Sequence, residues 1–207
     1  DCGLDPFVSL ASMLVGHGAE EVTDSERSVA KASTYALLYG GTCHTIAQKN
    51  NLTLEAIKAY KDTFFQRFRG VDRWIERTVR NARNDGFITT VNGRQLSPMG
   101  HGEGQLKKGT TVNRILQGSE ADILTEVIAK VAASFKQGGG VIAFPVHDEI
   151  LTQARDGWVE STIDDLTYFM TEVGHDFVVP MAVKVMAGPN WGDLHEQPTS
   201  EWWKPCA

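Results

Sequence analysis

The 207-residue sequence predicts an α+β fold, and three features carry that prediction. Segments with apolar residues at helical spacing fill most of the chain up to Arg83 and return at 112–136 and 158–174. A strand-like run, Phe87 to Val91, leads into Asn92-Gly93, a pair that tolerates the positive φ angles of tight hairpin turns. Two apolar runs, Val141 to Val146 and Ile150 to Ala154, flank His147-Asp148-Glu149 and predict a second hairpin.

In chain order, residues 5–16 read as a short apolar helix begun by Pro6 and broken by Gly16 and Gly18. Thr23 to Glu26 forms a capping-box pattern that opens a second helix from about Arg27 to Tyr39, which Gly40-Gly41 stops. A third helix is expected from Thr53 or Leu54 to about Phe68, and a fourth from Val71 to Arg83. Arg94 to Leu96 begins the return strand of the first hairpin. Residues 97–110, rich in glycine and polar side chains, read as a loop or a boundary, which divides the chain into 1–110 and 111–207. A long helix from Val112 to about Lys136 ends at Gly138 to Gly140. Helix 158–174 and a strand from Val178 to Met186 close the fold, and the tail from Gly188 shows no periodicity. There is no internal repeat.

Composition narrows the function classes. With 42% hydrophobic and 22% charged residues the chain can bury a sizeable core. No run approaches the ~18 apolar residues that span a bilayer, and no basic-then-apolar leader opens the chain, so a soluble intracellular protein is expected. Cys2, Cys43 and Cys206 are scattered without CxxC spacing, which supports neither a disulfide framework nor a zinc site. A net charge of −6 argues against coating nucleic acid by charge alone but leaves room for a local basic surface.

The second helix carries the sharpest pattern. Arg27, Lys31, Tyr35 and Tyr39 stand four residues apart and drift by only about 40° per step, so they share one face, with Val29, Ala30, Ala36 and Leu37 on the other side. That face is about 18 Å long, comparable to a nucleoside triphosphate laid end to end. Cations at one end suit phosphates, and rings at the other suit a sugar and bases. Spacing alone also suits an amphipathic helix with a solvated basic edge.

The full pattern Arg27-Lys31-Tyr35-Tyr39-Gly40 resembles the fingers motif of family A, DNA polymerase I-like, DNA polymerases. The resemblance continues through GLDPF, the helix after Gly41, FRGVDRWIERT, ITTVNGR, NRILQGSEADI, VHDE and VPMAVKV. It implies a helical fingers subdomain (1–110) followed by a C-terminal palm portion (111–207) whose small antiparallel sheet carries a carboxylate turn. It implies that Arg27 and Lys31 hold the triphosphate, that Lys31 donates a proton to the leaving pyrophosphate, and that Tyr35 packs on the incoming sugar. Tyr39, followed by Gly40, would meet the template at the insertion position. Many members have Phe where Tyr35 stands, and members with Tyr tend to accept dideoxynucleotides.

A carboxylate at a hairpin tip is held rigidly, and Mg²⁺ prefers oxygen ligands and often takes one or two protein carboxylates plus substrate phosphates. A lone His-Asp-Glu also suits an ordinary polar turn, but it stands at the family's distance from the helix motif, and the resemblance to the family's palm motif implies that Asp148 is the metal ligand and catalytic carboxylate. Glu149 is expected as a secondary acid and His147 as a contact to the primer terminus. Asn113 and Gln117, one turn apart, can bond the minor-groove acceptors that every base pair presents. Arg94 matches an arginine that faces the primer-template backbone in the family. Glu120 departs from the small residues usual in QG[ST]xAD. Arg73, Arg77 and Arg80 share a face that reads as solvated.

The family's second catalytic carboxylate lies in a D-x-S-x-x-E segment upstream of the nucleotide helix, and these 207 residues contain none. Asp1 and Asp5 fall in a loop and are poor substitutes. The expectation is a shortened chain or a polymerase divided between two polypeptides, inactive alone, whose partner supplies the upstream palm and thumb and possibly an exonuclease. The complete site would use two Mg²⁺ ions, deoxynucleoside triphosphate and primer-template DNA in the cytoplasm of a bacterial or phage-infected cell. Two other readings stay open: a fragment of a single-subunit RNA polymerase, which shares the Arg-Lys-Tyr-Gly helix and a His-Asp turn, and a non-catalytic piece that only binds template or a partner.

Overall fold

The computed structural model describes residues 5–99, 106–135, 139–174, 177 and 181–197. Cys2, Cys206, Asp1, residues 100–105 of the glycine-rich stretch, Lys136 to Gly138 and Val178 to Pro180 lie outside the described residues. The chain divides into two compact units, Asp1–Ser119 and Glu120–Ala207.

The first unit opens with α1 (Pro6–Val15), capped by the Asp5 side chain on the Phe7 N–H and ended by Gly16 in the left-handed conformation, φ 86°. A single 3₁₀ turn, Ala19–Glu21, leads to α2 (Asp24–Leu38). Its capping box is formed as expected: Thr23 Oγ1 accepts from the Glu26 N–H while the Glu26 carboxylate accepts from the Thr23 N–H. The short α3 (Cys43–Lys49), α4 (Leu54–Arg67) and α5 (Arg69–Asp85) follow. Ala30, Ser33, Thr34 and Leu37 form the buried face of α2. Thr34 donates to the Ala30 carbonyl and therefore accepts from the buried Tyr60 hydroxyl of α4 at 2.7 Å. Leu10, Ala11, Ile46, Ala47, Ile57 and Phe64 complete this core.

A hairpin of β1 (Ile88–Thr89) and β2 (Gln95–Leu96) turns at Asn92-Gly93, with Gly93 at φ 84°. Its strands are shorter than the run from Phe87 to Val91 suggested. The long helix α6 (Lys108–Phe135) starts four residues before Val112, so Lys108 to Thr111 are helical and not loop.

The second unit contains the rest of α6, the hairpin of β3 (Gly140–Val146) and β4 (Glu149–Ala154), and α7 (Val159–Glu172). Val127, Val131, Phe135 and Leu166 are its buried centre, with Ile142, Ile150, Phe169 and Met170 packed on them. Ion pairs from Lys130 to Glu172 (2.5 Å) and Glu126 (3.1 Å) run along the same helices.

The C-terminal stretch corrects the sequence reading. Met181 to Val185 are not in a strand; the strand β5 starts at Met186 (Met186–Asn190) and pairs with β6 (Asp193–Glu196) across Trp191-Gly192. An extended run becomes a strand only when a partner fills its hydrogen bonds, and Gln197 reaches Val185 with a single one. The hairpin hid in the tail because Gly188 and Pro189 interrupt its alternation. The fold is α+β: helices with three two-stranded antiparallel hairpins among the described residues. No helix of the described residues is long and apolar enough to cross a membrane.

Candidate functional site

The exposed face of α2 is organised along its length. Tyr35 and Tyr39 are exposed, and their rings lie nearly parallel, 15° apart with centroids separated by 6.1 Å. Phe7, reaching over from α1, tilts against Tyr35 at 5.9 Å. The same Phe7 ring lies under both cations, with the Arg27 guanidinium 5.9 Å and the Lys31 ammonium 5.7 Å from its centroid. Three rings and two cations thus form one continuous surface that presents positive charge at the start of the helix and ring faces at its end.

Arg27 is not a loose surface cation. Its Nε and Nη2 both bond Oδ2 of Asp5, at 2.7 and 2.5 Å. Burial pushes the Asp5 carboxyl up, but the Arg27 hydrogen bond, the Phe7 N–H and the Arg27 charge outweigh it and hold the pKa below 3.8. Asp5 therefore caps α1 and fixes Arg27 at once. From its sequence context Asp5 reads as a loop residue with no such role. The Asp5-Pro6 pair signals the cap, but nothing in the sequence signals a bond to a residue 22 positions away.

Gly40 and Gly109 join this face to α6. Gly40 has φ 79°, and a Cβ on it would lie 2.7 Å from the Gly109 Cα. A Cβ on Gly109 would in turn lie 2.2 Å from the Tyr39 carbonyl oxygen. The end of α2 therefore rests backbone to backbone on the first turn of α6, one turn before Asn113. Gly40 reads from sequence as a helix stop; its role in close packing depends on Gly109, which the sequence hides in the glycine-rich stretch.

Asn113 and Gln117 follow on α6, where Gln117 is exposed and the Asn113 Oδ1 is buried without a hydrogen-bond partner among the described residues. Arg94, from the β1–β2 turn, donates through Nη2 to the Gly118 carbonyl at 3.0 Å, and the Val91 N–H donates to Ser119 Oγ at 3.0 Å. A side chain at Gly118 would collide with Leu96, 2.5 Å from the Cβ position. Gly118 thus lets the hairpin seat on α6 and puts Arg94 beside Gln117. In the first unit the fold assembles Arg27, Lys31 and Tyr35 on α2, Tyr39 and Gly40 at its C-terminal cap, Asn113 and Gln117 on α6, and Arg94 against α6.

His147, Asp148 and Glu149 belong to the second unit. His147 and Asp148 are the two loop residues of the β3–β4 hairpin, and Glu149 opens β4 opposite Val146. His147 adopts φ 54°, as a two-residue hairpin of this kind demands of its first loop position. All three are exposed. Phe144 of β3 meets Trp191 of the β5–β6 turn edge to face at 5.5 Å, so the β5–β6 hairpin braces the β3–β4 hairpin.

A divalent metal places demands that this tip meets in part. No group of three or more His, Cys, Asp or Glu among the described residues could hold an ion. An exposed aspartate at a fixed turn nevertheless suits a hard cation that keeps water and substrate oxygens in most of its coordination sphere. Cys43, half-buried, is a free thiol and belongs to no ligand set among the described residues.

The chain matches DNA polymerase family A over residues 1–193. It is 28% identical to DNA polymerase I of Chloroflexus aurantiacus, covering 93% of this chain and 21% of that protein. It is 30% identical to DNA polymerase I of Pseudomonas aeruginosa, over 93% of this chain and 22% of that protein. The chain thus spans about a fifth of the length of these relatives. Its fold is similar to the POL domain of Pol1 from M. smegmatis in complex with DNA primer-template and dNTP, with a TM-score of 0.76, 28% identity and coverage of 87% of this chain and 33% of that one. The polymerase motifs run in order through the chain, and the family match covers nearly all of it: the chain belongs to DNA polymerase family A.

Proposed function

We propose that the chain is the C-terminal part of a DNA-directed DNA polymerase: residues 1–110 act as fingers and 111–207 as a palm portion in template-directed addition of deoxynucleotides to a primer 3′-hydroxyl. The observation that carries this reading is the α2 face, where Asp5-anchored Arg27 and Lys31 precede the parallel rings of Tyr35 and Tyr39.

Asp5 occupies the Nε side of the Arg27 fork, and the outer N–H groups remain for phosphate oxygens. Lys31, next along the face, binds the phosphates as a compact charge and supplies the proton that the leaving pyrophosphate takes up. Tyr35 packs on the sugar, and Tyr39, with Gly40, meets the template at the insertion position. Asn113 and Gln117 read the minor-groove edge common to correct pairs, and Arg94 holds the backbone. His147 contacts the primer terminus. Asp148 would hold Mg²⁺, two ions in the complete site, with Glu149 beside it; bound there, the metal would lower the pKa of the primer hydroxyl and neutralise phosphate charge. The second bridging carboxylate, the upstream palm and the thumb come from polypeptide outside these residues, and the assembled enzyme works on primer-template DNA in a bacterial or phage-infected cytoplasm.

The test is primer extension with Mg²⁺ by this chain alone, by the chain with a polypeptide supplying upstream palm and thumb, and by that assembly carrying Asp148→Ala. Synthesis is expected only in the second case. Undiminished synthesis with Asp148→Ala would reduce this chain to a binding piece, and robust synthesis by the isolated chain would overturn the need for a second carboxylate.

A further inference from the structure

The basic residues of α5 take no part in the reading above. At about 100° per residue, Arg69, Arg73, Arg77, Arg80 and Arg83 fall within an arc of about 120°, opposite the buried Ile75, Val79 and Ala82. Arg69 lines a shallow cavity together with Asp62 and Asp72. Arg73, Arg77, Arg80 and Arg83 are exposed and form no ion pair among the described residues. The acid within the arc, Glu76, is bound by Nζ of Lys108 at the start of α6. Its carboxyl is held below 4.5 by that hydrogen bond and charge, with smaller help from Arg83 and Arg80.

The outcome is a stripe of four guanidinium groups about 15 Å long on a chain whose net charge is −6. Like charges on successive turns destabilise a helix by about 0.2–0.5 kcal/mol per pair, and Glu76, which feels the Arg80 and Arg83 charges, offsets part of that; a polyanion covering the stripe would offset the rest. Exposed aromatic residues flank the helix at both ends, Phe68 before it and Phe87 after it, each 37% accessible. Cations along a line with exposed rings at its ends match a phosphate backbone whose bases are free to stack.

We propose that this face of α5 binds the phosphate backbone of single-stranded DNA, independently of sequence, through Arg73, Arg77, Arg80 and Arg83. It is a second contact, made by residues distinct from the α2 face, and it stands whether or not α2 holds a nucleotide.

The test is fluorescence anisotropy of a labelled oligothymidine, about 20 nucleotides long, against the full chain at several salt concentrations. The quadruple variant Arg73→Gln, Arg77→Gln, Arg80→Gln, Arg83→Gln should bind at least tenfold more weakly. Its log–log salt slope should be shallower by about three, from ~0.7 per phosphate contact on a single strand. The pair Arg77→Gln, Arg80→Gln should lose about half of that slope, which keeps the test valid if the quadruple variant melts early. Unchanged affinity and slope in a folded variant would overturn the proposal. So would an equal loss per charge on neutralising the exposed Lys49, Lys58 and Lys61, or competition by polyglutamate as strong as by DNA. Arg27→Ala with Lys31→Ala should leave this binding intact while removing nucleotide binding, which separates the two sites.

Discussion

Arg27 is fixed on α2 by Asp5, whose Oδ2 accepts from both its Nε and its Nη2 while the same carboxylate caps α1 on the Phe7 N–H. Two substitutions separate these roles. Asp5→Asn keeps the cap and removes the ion pair, so it should cost well under about 1 kcal/mol. Asp5→Ala removes both and should cost roughly 1 kcal/mol more. Urea denaturation of the two variants checks the difference. In the assembled enzyme Asp5→Asn should raise the nucleotide KM about fivefold with little change in kcat, the ~1 kcal/mol scale of a lost orienting bond. An unchanged KM would mean that Arg27 needs no anchor.

Tyr35 is 41% accessible, and its hydroxyl has no protein hydrogen-bond partner among the described residues. A hydroxyl exposed there can stand in for a missing sugar 3′-OH. In the assembled enzyme the parent is expected to incorporate dideoxynucleotides readily, and Tyr35→Phe to discriminate against them. Competition between dideoxy and deoxy substrates measures the ratio, and an unchanged ratio would refute the hydroxyl's role.

The contact between Gly40 and Gly109 makes a prediction with an internal control. Gly86 also has a left-handed backbone, φ 76°, but nothing lies within 4 Å of its Cβ position, so Gly86→Ala should cost only about 1 kcal/mol of conformational strain. Gly40→Ala adds a collision with backbone and should cost at least about 2 kcal/mol. If thermal melts show equal losses, the close approach of α2 to α6 is wrong.

His17 and Glu26 make the start of α2 sensitive to pH. The Glu26 hydrogen bond, with the Gly18 carbonyl and the Glu21 and Glu26 charges, raises the His17 pKa above 6.5. This contribution is complete below 6.5 and fades as pH rises through the higher folded value. Bonds from Thr23, then from His17, lower the Glu26 pKa below 4.5, so its contribution is present above 4.5 and fades as pH falls through the lower folded value. Together they favour the folded state most between 4.5 and 6.5. The melting temperature of His17→Gln relative to the parent should show its largest deficit in that window and converge with the parent above it. A constant deficit across pH would argue against the pair.

Much of the fold was legible because its signals are local. Thr23 and Glu26 cap within one turn, Arg27 to Tyr39 share a face by helical geometry, and Asn92-Gly93 supplies positive φ at the turn. The same locality explains the errors: Met181 to Val185 looks like a strand, yet pairing is decided by a partner, and Trp191-Gly192 makes a hairpin that broken alternation conceals.

By itself the sequence determined which residues carry charge, rings and carboxylates, and on which local element each stands, because helix period and turn chemistry act over a few neighbours. Tertiary structure alone decided that Asp5 holds Arg27, that Phe7 underlies both cations, and that Gly109 receives Gly40. Each of these joins residues far apart in the chain, where side-chain packing and backbone clearance, and no local preference, choose the partner.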